Sequence, residues 1–326
     1  MKKTIIILVA MVVLLSGAVM AEDYSDMKVA VILPSPRDDG GWSTTAYNAL
    51  MELEENYGVD VAYSESVSNA DAPEFILGYA NQGYDWIISH SFTYGEIVKA
   101  IAPDYPEIYF TVNSSDISQE PNVSSFNYTE LQMGFLQGIV AGLITENNKV
   151  AAIGGKEIPP IIDALDGFER GVYYVNPDAE IITTITGNAE DVSQAQETAL
   201  SMIEDGVDVL MADADQASIG VIYAAEEEGV YAIGANSDQY EIAPGTVVTS
   251  GLKNYNIAMD HIFQEIIKDN FEAKFYSLGI AEDAVGLAPF RDFEDKLPEE
   301  VFEEIDRIID DILSGDIILN DLPTPE

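Results

Sequence analysis

The sequence predicts an α/β protein with two doubly wound parallel-sheet lobes, on the basis of three observations. Short runs of aliphatic and aromatic residues, typical of buried strands, alternate with segments of helical periodicity along the chain. This alternation restarts after the polar stretch 146–148, which divides the chain into two similar halves. The length of 326 residues also exceeds what one small core usually holds, which favours two lobes.

The first half opens with the stretch around which the rest of the chain is arranged. An apolar run at 29–33 predicts a buried strand, and the prolines and glycines of 34–41 then form a loop. Ser43 or Thr44 can cap the helix that follows. The pattern continues with strands at 59–63, 86–90, 108–112 and 123–128 and helical segments at 73–81, 97–101 and 130–145.

Three glycines lie four residues apart in the last of these helical segments. They are Gly134, Gly138 and Gly142. Because a glycine in a helix interior costs up to about 1 kcal/mol, such a row predicts close packing against a neighbouring element.

The second half repeats the alternation and then returns to the first lobe. We expect the chain to cross back after Lys253, because an amphipathic helix at 255–268 follows that residue. The expected first lobe is 27–145 plus about 255–283, and the second is 146–254 plus about 284–326. The predicted elements are strands at 149–153, 181–186, 207–212, 230–233 and 286–290 and helices at 161–175, 193–204, 222–227 and 298–313.

The first 21 residues are predicted to be an export signal peptide. Lys2 and Lys3 precede an apolar run at 5–15, and Ala21 meets the small-residue rule for cleavage. The apolar run is too short to be a good membrane span. Residues 15–18 resemble a lipoprotein box with alanine in place of the cysteine. We therefore expect an exported protein without a lipid anchor, in the periplasm or at the cell surface.

The charge balance is strongly acidic, with 14 Lys and Arg residues against 58 Asp and Glu residues and a formal net charge of −44. Nucleic acids and anionic membranes bind basic surfaces, so neither is expected as a partner. Hydrophobic residues make up 47 % of the chain and fall in periodic runs, which indicates a folded protein. Concentrated salt screens the repulsion within an acidic surface, so we infer a salt-loving source organism.

The sequence argues against an enzyme. There is no cysteine, and the two histidines are His90 and His261. No nucleophile elbow, P-loop, zinc-protease motif or calcium loop is present, and the paired carboxylates are typical of solvated faces. We expect neither a catalytic site nor a metal or other cofactor.

Polar and aromatic residues recur just after predicted strands in both halves. The carboxyl ends of parallel strands meet at one edge of a sheet, where open α/β sheets bind their ligands. A cleft between two such edges would bring these residues together, although Asn and Asp at strand ends are also common turn formers. The candidates for ligand binding are Trp42, His90, Phe92, Asn113, Asp213, Asn236, Asp238 and Lys253.

Seven segments of the chain carry a resemblance to a known family. They are 39–43, 130–142, 153–155, 167–171, 229–239, 249–253 and 286–289. These segments resemble the basic membrane protein family, the purine-nucleoside-receptor-like substrate-binding proteins of ABC transporters, and the resemblance covers almost the whole chain after the export signal. It implies a type I periplasmic-binding fold, with two α/β lobes, three hinge crossings and a ligand enclosed between the lobes.

The resemblance also implies roles for individual residues. Trp42 matches the aromatic residue that stacks on the base, and Lys253 matches a lysine near the sugar. Asn113 and Asn236 match positions that are often aspartates in contact with the ribose hydroxyls. A carboxylate accepts two hydroxyl hydrogen bonds, whereas an amide offers one acceptor and one donor. A free nucleobase or another small heterocycle therefore stays open beside a nucleoside.

Residues and resemblance together predict a monomeric, non-enzymatic receptor that delivers a purine nucleoside or base to an ABC permease by hinge closure. Trp42 and Phe92 would sandwich the ring. The alternative is a receptor or sensor for a sugar or another small solute on the same fold, because a fold does not determine its ligand. The residues expected to bind the polar edge of the ligand are Asn113, Asp213, Asn236 and Lys253.

Overall fold

The computed structural model describes residues 24–39 and 41–324, and the predicted export signal lies outside them. Two sheets organise this part of the chain, with six strands in each. In chain-order numbering, the strand order is β11-β5-β4-β3-β1-β2 in the first sheet and β12-β10-β9-β8-β6-β7 in the second. The predicted two-lobed α/β fold class is confirmed.

The first sheet forms from the strands of the first half and one late strand. Helices α1, α2, α3 and α8 accompany it. The bounds are β1 Lys28–Ile32, α1 Trp42–Tyr57, β2 Asp60–Ser64, α2 Ala72–Asn81, β3 Trp86–Ser89, α3 Gly95–Ile101, β4 Tyr109–Asn113, β5 Val123–Tyr128, α8 Tyr255–Ile267 and β11 Phe275–Leu278.

The second sheet forms from the strands of the second half of the chain. Helices α4 to α7 and α9 accompany it. The bounds are α4 Glu130–Ile144, β6 Lys149–Gly154, α5 Pro159–Val175, β7 Glu180–Ile185, α6 Val192–Glu204, β8 Val209–Asp213, α7 Ser218–Glu228, β9 Tyr231–Asn236, β10 Val247–Lys253, β12 Val285–Leu287 and α9 Glu299–Ser314.

Both sheets are wound in the same way. The first strand of each lobe lies inside its sheet: β1 pairs in parallel with β2 and β3, and β6 pairs in parallel with β7 and β8. Among the described strands only β12 runs antiparallel to its neighbour, β10. The direction of winding therefore changes at the carboxyl ends of β1 and β6, where ligands of such sheets bind.

The chain passes between the lobes three times. Thr129 alone separates β5 from α4, and Asn254 alone separates β10 from α8. Residues 279–284 then connect β11 of the first sheet with β12 of the second. We call these three short segments crossings 1, 2 and 3, and together the hinge region, because they connect the two sheets.

Helix α4 corrects one part of the predicted lobe bounds, which placed residues up to 145 in the first lobe. The helix packs against α5 and against β8, β10 and β12 of the second sheet. Its glycines explain this choice: a Cβ on Gly138 would lie 2.1 Å from the carbonyl oxygen of Phe168 in α5. The predicted close packing is confirmed, and we place the first lobe boundary at crossing 1.

Two further differences concern the end of the chain. Strand β11 was not expected from the sequence, because it is only four residues long and two of these residues are exposed. The strand expected at 286–290 is shorter and begins at Val285. Over the described residues, no helix combines the length and the apolar character that crossing a membrane requires.

Candidate ligand-binding site

The predicted site residues lie at the carboxyl ends of strands from both sheets. Asn113 ends β4 in the first sheet, and Asp213, Asn236 and Lys253 end β8, β9 and β10 in the second. His90 directly follows β3. All five are buried, although polar residues at strand ends are usually solvated.

Trp42 is the first residue of α1, and Asp39 fixes the loop that presents it. The Asp39 carboxylate accepts hydrogen bonds from the backbone N–H groups of Gly41, Ser43 and Thr44, at 2.9, 2.9 and 3.1 Å. The expected capping by the side chain of Ser43 or Thr44 is therefore wrong. A carboxylate can accept hydrogen bonds from several free N–H groups at once. It is also stabilised by the partial positive charge at the N-terminus of the helix.

A stacked pair of rings forms the first-lobe side of the site. The planes of Trp42 and His90 are inclined by 24°, with ring centroids 4.3 Å apart. His90 Nε2 lies 3.0 Å from the carbonyl oxygen of Trp42, and His90 Nδ1 lies 3.0 Å from Nδ2 of Asn113. The Asn113 amide donates to Nδ1, so Nε2 carries the proton and donates to the carbonyl.

Burial lowers the pKa of the His90 imidazole to about 3, so the ring is neutral at physiological pH. Both of its nitrogens are occupied by protein groups. His90 therefore contributes to the site by fixing the Trp42 ring and the Asn113 amide.

A buried ion pair forms the floor of the site. Lys253 Nζ lies 2.8 Å from Oε2 of Glu130, and the two side chains are only 5 % and 1 % exposed. The same ammonium lies over the indole of Trp42, 5.2 Å from the ring centroid. This cation–π contact connects the two lobes, because Lys253 ends a strand of the second sheet and Trp42 belongs to the first.

Carboxylates outnumber ammonium groups around this pair. Burial raises the pKa of the Glu130 carboxyl to about 7; the charge of Lys253 opposes the rise, and Asp213 and Asp163 add to it. Burial also disfavours the Lys253 ammonium, but Glu130 and Asp213 outweigh this effect and raise its pKa. Asp215 is exposed, and desolvation by the surrounding groups together with the charge of Asp213 raises its pKa to about 6.

Asp213 and Asn236 leave hydrogen-bond acceptors free. The Asn236 amide donates to Oδ1 of Asp213 at 3.1 Å. Asp213 Oδ2 and Asn236 Oδ1 are buried, and neither has a partner among the described residues. An unsatisfied buried acceptor costs about 1–3 kcal/mol, so a partner with two donor groups would be bound favourably here.

Two of the predicted residues lie outside this buried group. The Phe92 side chain is 44 % exposed. Asp238 forms an ion pair with Arg291, whose Nη1 donates to Oδ1 at 3.1 Å. Asp238 also lines a cavity of about 200 Å³ that reaches Asn236 and Lys253 and has Thr45 and Glu52 of α1 on its other wall. Both residues remain candidates for the rim of the cleft.

Glu130 belongs to the buried group of the candidate site, and the sequence patterns did not single it out. Its signal was present: it is an acidic residue at the start of a helix whose other residues are mostly apolar. The pattern predicted only a helical segment there, since an acidic residue in a first turn commonly has no role beyond favourable charge at the helix N-terminus.

Comparison with known proteins identifies the family of the chain. Residues 26–322 match the family model described as Bmp, the PnrA-like substrate-binding proteins of ABC transporters. The chain belongs to this family. The Bmp family proteins are non-enzymatic solute receptors on a periplasmic-binding fold, and the expected family, fold class and absence of enzymatic function are confirmed.

Individual relatives align with this Bmp family protein over most of its length. It is 29 % identical over 90 % of its residues to basic membrane protein A2 of Borrelia garinii subsp. bavariensis, covering 88 % of that protein. It is 27 % identical over 88 % of its residues to a purine-binding protein of Brucella abortus, covering 82 % of that one. A solute-binding protein structure from Aeropyrum pernix K1 has a TM-score of 0.81 at 24 % identity, covering 92 % of this chain and 94 % of that chain.

Proposed function

We propose that this protein is the extracytoplasmic receptor of an ABC importer and that it binds a purine nucleoside or nucleobase between its two lobes. Membership of the Bmp family supports the receptor part of the proposal. The relative from Brucella abortus, which is named a purine-binding protein, supports the choice of ligand class. In this proposal the receptor is an exported, unlipidated monomer that delivers its ligand to a membrane permease.

The observation that carries the proposal is the buried group at the facing strand ends. One lobe contributes the Trp42 indole and the other the Lys253 ammonium, 5.2 Å from the ring centroid. A flat heterocycle stacks favourably on an indole, by about 0.5–1.5 kcal/mol beyond the burial of its area. The Trp42 indole is therefore the group of this site that we propose to stack on the purine ring.

The free acceptors of Asp213 and Asn236 indicate that the other side of the ligand carries hydrogen-bond donors. Their buried oxygens require donors, which ribose hydroxyls or the N–H groups of a base supply. Asp213 also provides a carboxylate beside Asn236. Binding of a nucleoside therefore stays compatible with asparagine at 236.

A sugar or another small solute is the alternative ligand, because hydroxyl groups also satisfy buried acceptors. An aromatic side chain with a few hydrogen-bond acceptors beside it can bind either ligand class. Measurement has to separate them.

A thermal-shift panel tests the ligand class. Inosine, guanosine, adenosine, adenine, ribose and glucose would each be added in excess to the full exported chain. At a concentration of about 100 times Kd, a ligand adds roughly 2.7 kcal/mol of stability, which raises Tm by several degrees. We expect the nucleosides or the bases to raise Tm, whereas a rise with the sugars alone would overturn the purine assignment.

Trp42→Ala tests the stacking residue. Loss of the indole should abolish the purine-dependent rise in Tm, while the ligand-free protein still unfolds cooperatively. Trp42→Phe is the matched control, because it retains an aromatic face and should keep much of the rise. An unchanged affinity for purines in Trp42→Ala, measured by calorimetry, would remove Trp42 from the site.

A further inference from the structure

The three crossings between the lobes lie side by side. The Thr129 N–H in crossing 1 donates to the carbonyl oxygen of Leu278, the last residue of β11 directly before crossing 3, at 2.8 Å. The Asn254 N–H in crossing 2 donates to the carbonyl oxygen of Ala284 at the end of crossing 3, at 2.9 Å. Backbone hydrogen bonds therefore join crossing 2 to the end of crossing 3, and crossing 1 to the residue that precedes it.

Crossings 1 and 2 are joined by side chains. Glu130 directly follows crossing 1, and Lys253 directly precedes crossing 2. Their ion pair, at 2.8 Å, closes the triangle of contacts around the hinge. The same Lys253 ammonium contacts the ring of Trp42, so the hinge and the proposed ligand site share one charged group.

We propose that Glu130 is a positioning residue for ligand binding: its carboxylate holds the Lys253 ammonium beside Trp42 and couples the hinge crossings to the ligand. The ligand-binding part of this inference rests on the function proposed above. The pairing of Glu130 with Lys253 does not, and it can be measured without ligand.

The carboxylates around Lys253 explain why Glu130 matters. Asp213 and Asp215 also attract the ammonium, and Asp163 in α5 faces Glu130 with a like charge. When Glu130 is ionised, it holds the ammonium at the hinge. When Glu130 is neutral, Asp213 and Asp215 are the remaining anions near Lys253, and the ammonium is drawn away from the position it holds beside the indole.

This exchange should take place near neutral pH. Burial places the pKa of Glu130 at about 7, so its proton leaves between about pH 6 and pH 8. His90, which contacts Trp42 from the first lobe, stays neutral through this range because its pKa is about 3. Among these neighbours, Asp215 is expected to lose its proton at a lower pH than Glu130, since its pKa is about 6.

Tryptophan fluorescence of the ligand-free protein tests the pairing. We expect the emission of the wild-type protein to change with pH around a midpoint near 7, as the ammonium moves relative to the indole. Trp42→Phe should remove the change and so assign it to Trp42. Glu130→Gln keeps the shape of the side chain without its charge, and it should also remove the change.

Glu282→Gln is the matched control for a glutamate at the hinge. Glu282 lies in crossing 3 and accepts a hydrogen bond from the Gly279 N–H at 2.8 Å. Its variant should keep the titration of the Trp42 emission. A wild-type emission that does not depend on pH, or a titration that survives in Glu130→Gln, would overturn the inference.

Calorimetry with inosine tests the consequence for binding. The affinity of the wild type should be constant above about pH 8 and fall at lower pH, whereas Glu130→Gln should bind about tenfold more weakly without this pH dependence. An unchanged affinity and pH profile in Glu130→Gln would overturn the positioning role. If no purine binds the wild type, the proposed function fails, while the emission titration still decides the pairing.

Discussion

At the scale of single residues, the site is built from groups that restrain one another. His90 is expected from the sequence to contact a ligand, but in the structure its nitrogens bind the Trp42 carbonyl and the Asn113 amide. A neutral, buried imidazole can act as a rigid spacer because one nitrogen accepts while the other donates. The orientation of Trp42 is therefore set before any ligand arrives, which reduces the entropy lost on binding.

The neutrality of His90 gives a prediction for the pH dependence of stability. The pKa of a histidine in the unfolded chain is near 6.5, and in the folded protein it is about 3. Because the folded pKa is lower, the contribution of His90 is fully present above pH 6.5 and is lost as pH falls towards 3. The difference in unfolding free energy between wild type and His90→Gln should shrink over this range. Denaturant unfolding at several pH values measures it, and a constant difference would contradict the prediction.

At the scale of elements, helices α4 and α5 of the second lobe pack with an unusually short distance between their backbones. Glycines of both helices take part: a Cβ on Gly134 would lie 1.9 Å from the Ala164 carbonyl oxygen, and one on Gly171 would lie 2.2 Å from that of Phe135. The backbones of the two helices are therefore in direct contact at these glycines. Helix α4 also begins with Glu130, so the packing of α4 fixes the position of the hinge carboxylate.

Gly138→Ala tests this helix contact. The added methyl group would lie 2.1 Å from the Phe168 carbonyl oxygen, so the helices must separate. We expect a loss of about 1–3 kcal/mol or more, seen as a drop of several degrees in Tm. Gly78→Ala in α2 is the matched control, since a Cβ there meets no atom within 4 Å and alanine favours a helix. Equal Tm values for both variants would contradict the packing argument.

At the scale of the whole molecule, two lobes with facing strand ends carry a large excess of negative charge. The formal net charge is −44. Such self-repulsion opposes a compact state and also opposes the approach of two acidic lobes, and it weakens as ions screen it. Stability and hinge closure should therefore respond to ionic strength in the same direction.

Salt should stabilise this protein. The Debye length falls from about 10 Å at 0.1 M to about 3 Å at 1 M salt, so repulsion between surface carboxylates is largely screened. We expect Tm to rise by several degrees between these concentrations of NaCl, measured by calorimetry. KCl at equal ionic strength should give the same rise, because screening does not depend on the identity of the cation. A Tm that is flat or falls with salt would show that repulsion between carboxylates does not limit the stability of the folded chain.

The sequence by itself predicted most of the architecture. The alternation of apolar runs and helical segments indicated two parallel sheets, and the glycine row in α4 predicted a close neighbour, because both patterns are local and periodic. Strand β11 escaped prediction since it is short and only half buried. The place of α4 also escaped, because crossing 1 is a single residue, Thr129, and carries no turn signal of its own.

For the candidate site, the sequence determined only which polar residues lie at the ends of the strands. Only the tertiary structure decided their partners: His90 against Trp42, Asn236 against Asp213, and Glu130 against Lys253. These pairs join residues that are far apart in the chain, and their energies depend on burial and on distances of a few ångströms. A local pattern cannot encode either quantity, because both arise only when the two sheets meet.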